Sequence, residues 1–312
     1  MFSLIFPGQG SQTVGMCKEL YNKFELIKKI FKSADEILNF PLSKLIFEGP
    51  KQELDFTENT QPSIFLVGYS IFTLLKEEFK FDDTKVLFFA GHSLGEYTAL
   101  SSAGFLNFED SLRILRVRGK AMQSAVPKGE GGMIAVLGSK IEFIERLLEE
   151  NSNKYECFIA NDNSEGQLVL SGKNKDLEKL SVDLKKNSIK NIALPVSAPF
   201  HCKLMKKATE IMKNEIEKLN FTLSEKKVVS NVTGKTINQT MEIKNLLIKQ
   251  IESRVRWRDS IKHMTQNGTK EFIEIGPGKV LSGLVKRIDR EVKVSAINNE
   301  EDINKLKNTY EF

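Results

Sequence analysis

Residues 85–95 read Lys85-Val86-Leu87-Phe88-Phe89-Ala90-Gly91-His92-Ser93-Leu94-Gly95. A nearly continuous apolar run of this length suits a strand buried on both faces, as in a parallel sheet covered by helices. Gly91-x-Ser93-x-Gly95 closes the strand, and Glu96 to Ala103 opens a helix. Strand, sharp turn and helix with a serine at the apex describe a nucleophile elbow. The turn strains the serine and exposes its hydroxyl, and the glycines permit the close backbone approach. The backbone N–H of Leu94 lies at the helix start, where it can help to bind a developing oxyanion. The blander reading is a Gly-Ser turn into a helix, and the strand–turn–helix context favours the elbow.

The rest of the chain supports such a sheet. Ser3–Phe6 reads as a strand, broken by Pro7-Gly8-Gln9-Gly10-Ser11-Gln12, with helical signals to about Asn39. A helix is predicted over Gln61–Phe79 with Pro62 at its start, and another over Phe108–Ala125. The Gly/Pro-rich stretch Pro127–Gly132 is a linker. Beyond it come a strand (Met133–Leu137), a helix (Lys140–Asn151), strands Glu156–Ala160 and Gln167–Ser171 joined by a loop over 161–166, a helix (Lys175–Lys186) and a strand (Asn191–Val196). That βαββαβ order is the split βαβ pattern of a ferredoxin-like unit. Residues 127–197 are therefore expected to form a small domain inserted in a larger α/β domain of residues 1–126 and 198–312. Helices over Lys203–Leu219, Met241–Ser253, Ser260–Asn267 and Val280–Ile288 alternate with strands Lys227–Val232, Glu271–Ile275 and Val292–Ala296. The alternation predicts a mostly parallel sheet with helices on both faces.

Composition excludes several classes. The 312 residues are 40% hydrophobic and 28% charged, ordinary for a soluble globular protein. No apolar run approaches the ~20 residues needed to cross a membrane. Met1–Phe6 starts directly as a strand with no signal-peptide pattern, so a cytoplasmic protein is expected. Cys17, Cys157 and Cys202 are scattered and odd in number, against a disulfide framework or a zinc site. The net charge of +5 is spread over many lysines, with no basic cluster interleaved with aromatics, so nucleic acid is not an expected partner. A mildly basic surface suits an acidic protein partner. G-x-x-x-x-G-K-[ST], the dinucleotide fingerprint and metal-ligand clusters are all missing, so neither metal nor cofactor is expected.

A serine nucleophile needs a base, and the chain has three histidines. His92 adjoins Ser93 and is expected to point away from it, supporting the elbow. His263 lies in a polar helix and reads as a surface or packing residue. His201 remains, after Ala198-Pro199-Phe200 at the domain junction, where clefts form. No acidic residue stands out as a third triad member, and a carbonyl could fix the imidazole tautomer instead. Arg118 lies off the Arg113/Arg116/Lys120 stripe, among Ile114, Leu115, Ala121 and Met122. A guanidinium on the apolar side of a helix needs a partner. That partner is either a structural carboxylate or the carboxylate of a substrate held bidentately. The turn over residues 7–12 could supply a second oxyanion donor.

Taken together, Pro7–Gln12, Gly91–Glu96, Arg118-Gly119, Pro199-Phe200-His201, Gln250, Val255-Arg256-Trp257 and Ile275–Gly278 resemble, in the same order, the motifs of malonyl-CoA:acyl carrier protein transacylases. The resemblance spans nearly the whole chain. It implies an α/β-hydrolase-like large domain with a ferredoxin-like small one. It also implies Ser93 as nucleophile, His201 as base and Arg118 as ligand of the malonyl carboxylate. By the same resemblance the amides of Gln9 and Leu94 form the oxyanion hole, and Gln250 orients His201. Phe200, before the histidine, is similar to the variants that prefer malonyl over methylmalonyl, and Phe200, His92 and Met122 are candidates for selectivity or support. One departure is Arg254, where the family pattern has proline. The implied partners are malonyl-CoA, whose coenzyme A thioester is a substrate and not a cofactor, and a holo acyl carrier protein. The chain is expected to act as a monomer. The rival readings are a serine hydrolase using Asp259 and His263, and a non-catalytic carrier-binding subunit.

Overall fold

The computed structural model describes residues 1–196 and 198–310, apart from the side chain of Tyr310. The expected domain boundary at Ser197 and the last two residues of the 198–312 segment lie outside the described residues. The strands are β1 (Phe2–Phe6), β2 (Val86–Gly91), β3 (Gly131–Leu137), β4 (Cys157–Ser164), β5 (Gln167–Lys173), β6 (Lys190–Ala193), β7 (Val228–Val229), β8 (Glu271–Ile275) and β9 (Lys293–Ile297). The helices of the first half are α1 (Lys18–Lys23), α2 (Glu25–Leu38), α3 (Leu42–Glu48), α4 (Lys51–Leu54), α5 (Thr57–Glu77), α6 (Gly95–Ser102) and α7 (Phe108–Ser124). Then follow α8 (Ile141–Glu150), α9 (Asn174–Lys186), α10 (Lys206–Lys218), α11 (Thr240–Gln250), α12 (Trp257–Gln266), α13 (Val280–Ile288) and α14 (Glu300–Tyr310).

The larger sheet has the order β7-β2-β1-β8-β9, and every pairing in it is parallel. Its central strand alternates between two cores. Leu4 and Phe6 pack with Phe31, Phe65 and Leu115 from the helices on one face, while Ile5 packs with Phe88, Trp257, Ile261 and Leu284 on the other. Each such fully buried side chain contributes about 1.5–3 kcal/mol. The smaller sheet has the order β4-β5-β3-β6 and is antiparallel throughout, the split βαβ arrangement expected of residues 127–197. One of its faces (Ile134, Val136, Leu168, Leu170) is covered by Ile144, Leu177, Leu180 and Leu184 of α8 and α9. Met133 and Val169, on the opposite face, join the core of the larger unit.

The two sheets are tied along one edge. Val255 donates to the carbonyl of Ala160 at 2.8 Å and accepts from the amide of Asp162 at 3.0 Å, extending β4 with a short parallel bridge. Arg258 pairs with the buried Asp162 at 2.9 Å. Arg254, at the position where the family pattern has proline, reaches Glu145 of α8 at 2.9 Å. The departure therefore adds a second ion pair across the same seam.

Several sequence expectations need correction. α5 begins at Thr57, so Pro62 lies inside the helix and not at its start. The added turn is held against α7, where a Cβ on Gly119 would come within 2.5 Å of Glu58 Cα. The expected loop 161–166 is strand as far as Ser164, because Asn161, Asp162 and Ser164 continue the pairing with Val169, Leu168 and Gln167 of β5, with Val255 bridging Asn161 from the other side. The strand expected over Lys227–Val232 contracts to Val228–Val229, since Asn231 turns away to bind the elbow. α3, α4 and α14 went unpredicted.

Candidate active site

Strand β2 delivers Ser93 to the turn before α6 with φ 54°, a left-handed conformation costly for a residue with a side chain. The flanking glycines leave no alternative: a Cβ on Gly91 would lie 1.9 Å from the carbonyl oxygen of Gly95, and one on Gly95 would lie 2.3 Å from that of Phe6. Asn231 clamps the turn. Its Oδ1 accepts the amide of Ser93 at 2.7 Å, and its Nδ2 donates to the carbonyl of Gly91 at 2.7 Å.

The Ser93 hydroxyl lies 2.7 Å from Nε2 of His201, across 108 positions of sequence. His201 is itself left-handed, with φ 58°, and buried. Its Nδ1 is 2.9 Å from the backbone carbonyl of Gln250, which leaves Nε2 free to accept the serine proton. Burial, and then the neighbouring Arg118 cation, hold the His201 pKa down at about 3, so the ring is neutral. His92 points elsewhere, as expected: its Nε2 meets Asn163 Oδ1 at 2.8 Å and its ring tilts against Trp257. His263 is engaged by Thr236 at 2.8 Å, which removes the Asp259–His263 alternative from the serine.

Arg118 is 1% exposed. Nη1 donates to Gln61 Oε1 at 2.8 Å, and Nη2 to Gln250 Oε1 at 2.8 Å and to the Ser93 hydroxyl at 3.2 Å. Its guanidinium also stands 5.6 Å over the Tyr97 ring. Among the described residues no carboxylate lies within ion-pair distance of Arg118, which disfavours the structural-carboxylate reading. A cation solvated by neutral amides keeps a strong demand for an anion. Gln250 thus has two separate tasks: its backbone carbonyl meets His201 and its side chain meets Arg118.

Gln9 and Leu94 line the same space, and their backbone amides have no acceptor among the described residues. The cavity, about 240 Å³, lies between the two sheets. Met122, Phe200, Met133, Ala135, Val169 and Val196 supply apolar wall. Sequence reading passed over Gln61, Asn231 and the side-chain role of Gln250. Each makes its contact across more than fifty positions, and the only local signal was a polar residue beside apolar neighbours. Among the described residues no group of three or more His, Cys, Asp or Glu is gathered as a metal would require, and no helix is long and apolar enough to cross a membrane.

The model of the acyl transferase domain family matches residues 3–307. The chain is 43% identical over 303 residues to the malonyl CoA-acyl carrier protein transacylase of Bacillus subtilis, covering 96% of this chain and 94% of that protein. It is 36% identical to the Escherichia coli K12 protein of that name, covering 95% and 96%. The acyl-carrier-protein-S-malonyltransferase of Bartonella henselae superimposes with a TM-score of 0.96 at 38% identity over the full length of both chains. A type II PKS acyl-carrier protein in complex with its malonyl-transacylase gives 0.94 at 34% identity, covering 99% of each chain. With a strained serine against a neutral histidine, and relatives of this closeness along nearly its whole length, the chain belongs to the acyl transferase domain family, among the malonyl CoA-acyl carrier protein transacylases.

Proposed function

We propose that the protein moves a malonyl group from malonyl-CoA to the phosphopantetheine thiol of an acyl carrier protein through a malonyl ester on Ser93, supplying fatty acid synthesis. The observation that carries this is Arg118: a buried cation beside the Ser93 hydroxyl, with no carboxylate within ion-pair distance among the described residues and only the through-space charge of Glu96 beyond Gln250. In the first half, the Ser93 proton passes to Nε2 of His201 as Oγ bonds the thioester carbon. The amides of Gln9 and Leu94 receive the oxyanion. The C–S bond then breaks, and the coenzyme A sulfur takes the proton from the imidazolium. In the second half the carrier thiol gives its proton to His201 and attacks the serine ester, and the proton returns to Ser93. The backbone carbonyl of Gln250 holds the tautomer throughout, stabilising the imidazolium less than a carboxylate would.

Arg118 would hold the malonyl carboxylate in this scheme, and that anion would offset the charge that helps to keep His201 weakly basic. The base would then strengthen when the right acyl group is bound. Phe200 and Met122 would border the acyl chain, and His92 would brace the elbow through Asn163. Residues 127–197 would be the inserted unit that closes the cavity over the catalytic unit of 1–126 and 198–312. Thioester and serine ester are acyl compounds of similar type, so the exchange draws on no metal or cofactor in this reading. Three buried free cysteines accord with a reducing cytoplasmic setting.

Intact-protein mass spectrometry after brief mixing with malonyl-CoA is the test. One malonyl adduct should form, vanish in Ser93→Ala with at least ~10⁴-fold loss of acylation, and discharge on adding holo carrier protein. Steady hydrolysis with no transfer to thiol would instead establish a hydrolase.

A further inference from the structure

Glu96, on the first turn of α6, is a carboxylate with no exposed surface and no task in the scheme above. Its Oε2 accepts the backbone N–H of Asn231 at 3.1 Å and the Nε2–H of Gln250 at 2.7 Å. Its Oε1 is buried and makes no geometrically good hydrogen bond among the described residues, while the nearby Ser230 hydroxyl and the Arg118 cation also favour the charged carboxylate. The Asn231 and Gln250 donors both lead into the site. Asn231 holds the Ser93 turn. Gln250 Nε2 also donates to the carbonyl of Ser93 at 3.0 Å, while its Oε1 accepts from Arg118.

A carboxamide has one donor end and one acceptor end, and half a turn exchanges them. Gln250 faces two acceptors on one side, the Glu96 carboxylate and the Ser93 carbonyl. Only the NH₂ group can be seated there, so the oxygen is delivered to the guanidinium. We propose that Glu96 is a positioning residue for the carboxylate clamp: by accepting from Gln250 it fixes that amide with its oxygen toward Arg118, and so fixes the guanidinium. This rests on the reading of Arg118 as the malonyl ligand. Burial raises the Glu96 carboxyl to about 7. A proton taken up there fits on Oε1, leaving Oε2 an acceptor in both states.

The test compares malonylation of Ser93 with its labelling by an uncharged fluorophosphonate, which needs the elbow and His201 but not the clamp. Glu96→Leu should slow malonylation at least about tenfold more than it slows labelling, which itself falls somewhat because the Asn231 N–H loses its acceptor. Glu96→Gln keeps an acceptor for Gln250 and should stay within about threefold of wild type on both. Gln250→Glu sets two carboxylates face to face and should abolish the malonyl preference. Adding Glu96→Gln to it restores a donor–acceptor contact and should recover about threefold or more of the lost malonylation. Equal loss on both reagents in Glu96→Leu, or no loss on either, overturns the proposal. If Glu96→Leu does not fold, a double variant no better than Gln250→Glu alone overturns it. A wild-type protein that labels with fluorophosphonate but takes no malonyl group refutes the transacylase reading instead.

Discussion

Around the cavity, the parallel-sheet side and the antiparallel-sheet side differ in how their side chains are held. From the first come Ser93, Arg118, His201 and Gln250, each fixed by hydrogen bonds, two of them in left-handed backbone. From the second come Met133, Ala135 and Val169, held by packing, with Asn163 lending a bond to His92. Groups positioned by directional bonds have one useful arrangement, whereas an apolar wall is specified by volume and tolerates reshaping. In the proposed reaction the reacting atoms would accordingly belong to the rigid side, and the fit of the acyl group would be shared with the adaptable one.

Substitutions can break or sharpen this contrast. The largest effect is expected from Gly91→Ala, whose methyl would meet the Gly95 carbonyl at 1.9 Å. Loss of about 3 kcal/mol or more in denaturant unfolding is expected, together with loss of acylation. Wild-type stability would show that the elbow is less constrained than its geometry implies. Next comes Arg118→Ala, which should slow malonyl transfer about 100-fold, and far more than transfer of an uncharged acyl group. Parallel losses would make Arg118 structural and erase the difference between the two sides.

A pH profile gives a subtler measure. With its pKa lowered to about 3 from an ordinary 6.5, His201 stays unprotonated through the weakly acidic range. The pH profile of kcat/KM for acylation, which reads the free enzyme, should therefore show no acid limb centred near 6.5. The sign for stability is the opposite of a paired histidine: the unfolded chain takes the proton first, so His201 removes stability as pH falls from 6.5 toward 3. The smallest change is expected on the antiparallel side. Ala135→Val should leave fluorophosphonate labelling of Ser93 within about threefold while shifting preference among acyl groups of different bulk. A collapse of labelling would show that this wall, too, is rigid.

Much of this was legible in the chain because it was written locally. The elbow needs only an apolar run and two glycines around Ser93, and the βαββαβ order of the small unit follows from periodicity and breakers. His201 emerged by exclusion, and Arg118 by its place on the wrong side of a helix. Contacts between distant segments carried no such pattern. Nothing around Gln250 announces that its carbonyl meets His201 while its amide meets Arg118, 132 positions away. Nor does Ser230-Asn231 show that the strand before it will stop short to hold the elbow. The strand character of 161–164 was hidden for a different reason: Asn161-Asp162-Asn163-Ser164 has the composition of a turn, although the stretch pairs with the adjacent β5.

The Val255 bridge bears on what can be cut from the molecule. Sheet edges are sites where chains stick to one another unless covered, shortened or charged. The β6 edge is short and carries an exposed Lys190. The β4 edge is eight residues long and is bridged at Asn161 by Val255, which lies outside residues 127–197. Residues 127–197 expressed alone would bare that edge together with the apolar face of Met133 and Val169. Such a fragment should self-associate, whatever the merits of its own core, which would make the seam a guard against aggregation as well as a tie.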